Sequence, residues 1–69
     1  MAYPIHHMTT TEAAINNLRA AYDARRLAKN HATARAITKA EKVIWNLWVA
    51  NPTDARLLEI LNAYGICFA

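Results

Sequence analysis

The residues able to ligate a metal, move a proton or attack a substrate are few and scattered in this chain. His6 and His7 are adjacent on a segment that Pro4 holds extended. Adjacent side chains on an extended segment point in different directions. No cysteine or carboxylate stands at metal-ligand spacing from them, and His31 and Cys67 are remote in sequence. The pair reads as part of a solvated tail rather than a metal site. Cys67 is the one thiol. It lies between Ile66 and Phe68, surroundings that suit a buried, inert thiol better than a nucleophile. The chain has no serine, and its five carboxylates, Glu12, Asp23, Glu41, Asp54 and Glu59, are spread out rather than paired for acid–base work. Several have basic neighbours three or four residues away. With Gly65 as the single glycine, a glycine-rich phosphate loop is excluded. These counts predict no catalytic residue, no cofactor or metal site and no small-molecule substrate, and hence a protein that is not an enzyme.

Charge points elsewhere. Eight Lys and Arg against five Asp and Glu give a net charge of +3 and a pI of about 9.4. That is mildly basic, which keeps nucleic acid among the partners without favouring it. Arg35, Lys39 and Lys42 fall at i, i+4 and i+7, the spacing of one helical stripe, and Arg25, Arg26 and Lys29 cluster just before them. Where the turn between the two helices brings the six together, they form a patch suited to a phosphate backbone. The plainer reading is a solvated face that keeps an alanine-rich bundle soluble, with Glu41 partly compensating its charge. Trp45 and Val49 lie toward the same polar side. There the aromatic either anchors a protein interface or covers the C-terminal tail of its own chain.

The elements that position these groups are set by breakers. Thr9 to Asn51 contains neither glycine nor proline, so Pro4, Pro52 and Gly65 are the only strong punctuation. Residues 1–8 are expected to be an extended tail, followed by a helical domain over 9–69. Thr9-x-x-Glu12 fits a capping box that opens a first helix over about 10–29. Its polar arc is narrow, while Ile15, Leu18 and Tyr22 on one flank and Ala13, Ala20, Ala24 and Leu27 on the other give a wide apolar surface. That width predicts contact from two directions. A second helix over about 32–50 buries Ala36, Ile37, Ala40, Val43, Ile44, Leu47, Trp48 and Ala50, with Trp45 at the boundary. Continuous from Thr10 to Ala50, the two would form a rod roughly 60 Å long at 1.5 Å per residue. The apolar stripe instead shifts by a quarter turn between them, which favours a break at Asn30-His31, with Asn30 in the left-handed conformation that ends helices. A third helix over about 52–64 starts at an Asn51 cap with Pro52 in its first turn. It presents Leu57, Leu58, Ile60, Leu61 and Tyr64 on one face. Gly65 ends it in a Schellman motif that pairs Leu61 with Ile66, and Phe68 is expected to tuck into the core or a partner.

The chain has no repeat, low-complexity tract or alternating strand pattern. The fold class is all-α, a small three-helix domain in which a hairpin of two long helices carries a short C-terminal helix. Sixty-nine residues supply a marginal core, so self-association as a twofold homodimer is expected. The longest apolar runs are four residues, the second helix's apolar face is alanine-rich, and Met1–Met8 has neither a basic n-region nor an apolar h-region. No membrane role is expected, and a lone cysteine suits the cytoplasm. The expected function is that of a small non-enzymatic regulator, an inhibitor or adaptor that binds a macromolecule, most simply a protein, and blocks it sterically. Its binding residues would be Trp45 and Val49, flanked by Arg35, Lys39 and Lys42. The alternative is a nucleic-acid-binding accessory protein contacting phosphates through the same stripe with Arg25, Arg26 and Lys29. Sequence-specific reading by the third helix is disfavoured, since Arg56, Glu59 and Asn62 suit a major groove poorly. A third possibility is a structural subunit of a larger assembly.

Overall fold

The computed structural model describes residues 9–68; the tail over 1–8, with His6 and His7, lies outside them. The described residues form three helices and no strand: α1 (Thr10–Leu27), α2 (His31–Ala50) and α3 (Ala55–Tyr64). The protein is all-α.

Each helix end has a local cause. The Thr9 hydroxyl accepts from the Glu12 N–H at 3.1 Å, and the Glu12 carboxylate accepts from the Thr9 N–H at 3.1 Å, so two orphan donors at the start of α1 are satisfied reciprocally. The helix stops at Leu27, two residues short of the expected Lys29, because Ala28 turns extended (φ −147°, ψ 106°). Lys29 therefore lies in the connection. Asn30 does mark the break, but not in the left-handed conformation expected of it. It is extended (φ −147°, ψ 177°) and caps α2 from the front. Its side chain accepts from the Thr33 N–H at 3.0 Å, and its own N–H donates to the Thr33 hydroxyl at 3.1 Å. The Thr33 hydroxyl also donates back to the Ala28 carbonyl at 2.7 Å, tying the start of α2 to the end of α1. The connection is thus a braced turn and not a kink in one rod, and α2 begins at His31, one residue earlier than expected.

The third helix starts later than its sequence suggests. Asn51 closes α2, its N–H donating to the Leu47 carbonyl at 3.0 Å and the Trp48 carbonyl at 3.1 Å. Pro52 and Thr53 form a turn, and Asp54 is the cap, accepting from the Arg56 N–H at 3.0 Å and the Leu57 N–H at 3.3 Å. A charged cap outcompetes Asn51 because it also meets the positive end of the helix dipole. At the other end the Schellman pattern is present. Gly65 is left-handed (φ 63°), the Ile66 N–H reaches the Leu61 carbonyl at 2.9 Å, and both side chains are buried.

The three helices share one core. It is built from Ala14, Ile15, Leu18 and Ala21 of α1, Ala40 and Ile44 of α2, Leu57, Ile60 and Leu61 of α3, and Ile66. Ile15, Leu18 and Ile44 are fully buried, and Leu57 nearly so. Burying one such side chain contributes about 1.5–3 kcal/mol, so these few aliphatics carry most of the stability. The alanines among them let α1 and α2 approach closely.

Much of the apolar surface read from sequence stays uncovered. α2 covers one face of α1, and α3 adds a contact through Tyr64, whose ring lies 4.9 Å from that of Tyr22. The other flank, Ala13, Ala20, Ala24 and Leu27, is exposed, Leu27 to 90%. On α2, Ala36, Val43 and Ala50 are exposed rather than buried, and on α3 Leu58 is 43% exposed. Cys67, expected inside, is exposed: the chain leaves α3 with Ile66 turned into the core and the next side chain outward.

Candidate functional site

Helix α2 has two opposed sides. Ile37, Ala40, Ile44 and Trp48, spaced three or four residues apart, face the core, the first and last of them only partly buried. Arg35, Lys39 and Lys42 lie on the opposite side and are all exposed. Seven residues of helix separate the first from the last, about 10.5 Å along the axis. With His31 and Thr38 they line a shallow, open concavity. The stripe presents eleven charged N–H donors, five from the guanidinium and three from each ammonium.

By sequence Glu41 is expected to offset part of this charge. The structure turns it away. Glu41 sits on the shoulder of α2, half-buried, and its carboxylate accepts from the Tyr22 hydroxyl at 2.8 Å. Tyr22 is wedged between α2 and the Tyr64 ring. Burial, then the hydrogen bond and negative charge of Glu41, push the Tyr22 phenol up to about 12. The carboxylate of α2 thus serves the α1–α2–α3 junction. Among the described residues the one ion pair is Arg26 with Asp23, so Arg35, Lys39 and Lys42 face solvent without a carboxylate partner.

The other basic cluster is mostly engaged. The Arg25 guanidinium donates to the Asn30 carbonyl at 3.3 Å, which holds it against the turn, and Arg26 pairs with Asp23. Lys29 is exposed. Hence Arg35, Lys39 and Lys42 form one outward stripe, whereas Arg25 and Arg26 are tied within their own turn.

Trp45 and Val49 lie one turn apart on the shoulder of α2 beside Lys42. Trp45 is half-buried and meets Phe68, with ring centroids 6.3 Å apart and planes inclined at 51°. It therefore covers the C-terminal tail while keeping an exposed edge. Val49 is 60% exposed and Phe68 is 39% exposed. Trp45, Phe68 and Val49 together give the basic stripe an apolar border. The part played by Phe68 is a contact no local pattern encodes; its only sequence signal is an apolar residue near the chain end.

Among the described residues no three His, Cys, Asp or Glu side chains gather as a metal site, and no helix is long and apolar enough to cross a membrane. The arrangement is suited to binding an anionic surface through fixed charges and an apolar edge. No family model, curated protein or solved structure matches this chain.

Proposed function

We propose that this chain is a small non-enzymatic interaction protein of the cytoplasm, acting as an inhibitor or adaptor. It docks the outer face of α2 on an acidic protein surface and blocks that surface sterically. The observation that carries this reading is the diversion of Glu41 to Tyr22, which leaves Arg35, Lys39 and Lys42 as an uncompensated cationic stripe. The apolar border supplied by Trp45 and Val49 favours a protein over a phosphate backbone, because an apolar edge gains nothing against phosphates. The bases steer the encounter and the border holds the complex. Self-association belongs to the same reading, with a second copy on the exposed flank of α1; a strictly monomeric mass over a wide concentration range would exclude that part.

The second reading, binding to nucleic acid through the stripe with Lys29, rests on the same three unpaired cations. Ionic strength separates the two. Four phosphate contacts, three from the stripe and one from Lys29, give a slope of about −3.6 for log affinity against log salt, at roughly −0.9 per contact. A protein interface with an apolar border responds less. Tagged chain is incubated with lysate of the native host, with and without nuclease, over a range of salt. Retention of a stoichiometric protein through nuclease and moderate salt is expected. Recovery of nucleic acid, with proteins lost on nuclease treatment, would replace the first reading by the second.

A further inference from the structure

A groove runs between α1 and α2 along one side of the cationic stripe. Its floor is Ala21 and Ala40, both buried; its walls are Asn17 and Ala20 on α1, and Ala36, Lys39 and Val43 on α2. The α2 residues fall at i, i+3, i+4 and i+7, so the groove follows about two helical turns, or ~10.5 Å. Small side chains on both walls leave room for a third backbone to come close.

Its charge is lopsided. The α1 wall is neutral: Asn17 and Ala20 contribute no charge. The α2 wall carries Lys39, which also belongs to the outward stripe with Arg35 and Lys42. Whatever lies in this groove meets alanines below, an uncharged wall on one side, and on the other the half-exposed Val43 and Lys39, with Lys42 and Arg35 further round α2.

Building on the protein-partner reading above, we infer that this groove takes an amphipathic helix of the partner, apolar along one stripe and acidic along one flank only. Charge complementarity fixes the orientation. The acidic flank lies over Lys39, Lys42 and Arg35, and the apolar stripe, at i, i+4 and i+7, fills the alanine-lined channel. This is the helix-in-groove mode of recognition, with small residues of the receptor admitting larger ones of the ligand. A second copy of this chain meets the requirement poorly through α1: Asp23 lies beside its exposed flank of Ala13, Ala20, Ala24 and Leu27, but that carboxylate is already paired with Arg26.

The probe is a fluorescein-labelled helical peptide of about 16 residues, long enough to hold a helix in water, with leucines on one stripe and glutamates on one flank. Two further peptides serve as comparisons, one with lysines replacing the glutamates and one scrambled. Binding to the full chain is read by fluorescence anisotropy. The glutamate peptide is expected to bind at least about tenfold more tightly than either comparison, since like charges brought together in an interface are strongly unfavourable. Lys39→Glu should reverse the preference toward the lysine peptide, a gain that a merely unfolded variant cannot show. Ala36→Trp, at an exposed wall position, should fill the channel and weaken the glutamate peptide at least about tenfold, with helicity checked by circular dichroism. Equal binding of the three peptides, no binding of the glutamate peptide, or binding indifferent to Ala36→Trp would overturn the inference. So would a dimeric chain that Ala36→Trp renders monomeric, since a second copy would then fill the groove. If the peptide fails while the outer face of α2 still retains a protein from lysate, only the groove is lost and the functional reading stands.

Discussion

Replacing Tyr22 by Phe removes one hydroxyl and leaves the ring. The ring contact with Tyr64, at 4.9 Å between centroids, is kept, and the 2.8 Å hydrogen bond to Glu41 is lost. A bond to an ionised acceptor contributes about 1.5–3 kcal/mol. This one is half-buried and Glu41 regains water when it is released, so about 1 kcal/mol is expected. In a domain of this size that lowers the melting temperature by roughly 4–8 °C. The pH dependence is the sharper test. Tyr22 titrates at about 12 in the folded chain against 10.0 when unfolded. Between those values the native state holds a proton that the unfolded state has lost. Stability derived from the neutral phenol is therefore complete below pH 10 and is lost as pH rises through 12. The Phe variant has no such group, so the wild type's advantage should shrink above pH 10 and reverse before pH 12. Titration of the other tyrosines and the lysines is common to both proteins and cancels in the difference. Thermal melts by circular dichroism at neutral pH and at closely spaced values from 9 to 12 supply the curves. A variant as stable as wild type at neutral pH, or a gap that stays constant to pH 12, would show that Tyr22 does not hold Glu41 in the junction.

Three further substitutions test the frame that presents α2. Ile44→Ala empties a fully buried position beside Ile15 and Leu18 and should cost about 2–5 kcal/mol in urea unfolding, a large part of the stability of so small a domain. Asn30→Ala removes the front cap of α2 and its exchange with Thr33, an expected loss of about 1 kcal/mol; an unchanged melt would mean that the turn does not depend on the capping box. Gly65→Ala places a side chain at φ 63° with nothing within 4 Å, so its cost is conformational only, about 1–2 kcal/mol, and Gly65→Asn should recover most of it.

Much of the frame was legible in the residues because its signals are local. A capping Thr with Glu three residues on, and a Gly followed by a buried Ile, act through bonds that span a few positions, and the start of α1 and the end of α3 follow them. The errors arose where two local signals competed. Asn51-Pro52 and Asp54 both qualify as the start of α3, and the charged cap wins. Asn30 serves equally as a stop or a start; Thr33 three residues later was the clue that it starts α2, since a Thr hydroxyl completes the box as a Glu carboxylate does.

The candidate site was legible in part. The spacing of Arg35, Lys39 and Lys42 places them on one stripe wherever α2 is helical, so their common exposure follows from period alone. The direction of Glu41 does not follow, because its partner Tyr22 is nineteen residues away on another helix. Neither does the pairing of Trp45 with Phe68, which depends on how the tail returns after Gly65. The exposed flank of α1 shows the same limit. Ala13, Ala20 and Ala24 qualify as core by composition, but α3 is a ten-residue helix that packs elsewhere, and nothing else among the described residues covers them.

The most direct test of the account is capture of a partner by wild type and by the Lys39→Glu/Lys42→Glu double variant, side by side from nuclease-treated lysate, with both chains shown to be equally helical. Both lysines are exposed and outside the core, so the fold is expected to survive the change. The wild type is expected to retain a protein in stoichiometric amount, and reversing two of the three charges in the stripe is expected to remove it. Equal retention by the two chains would contradict the assignment of the α2 outer face as the binding surface.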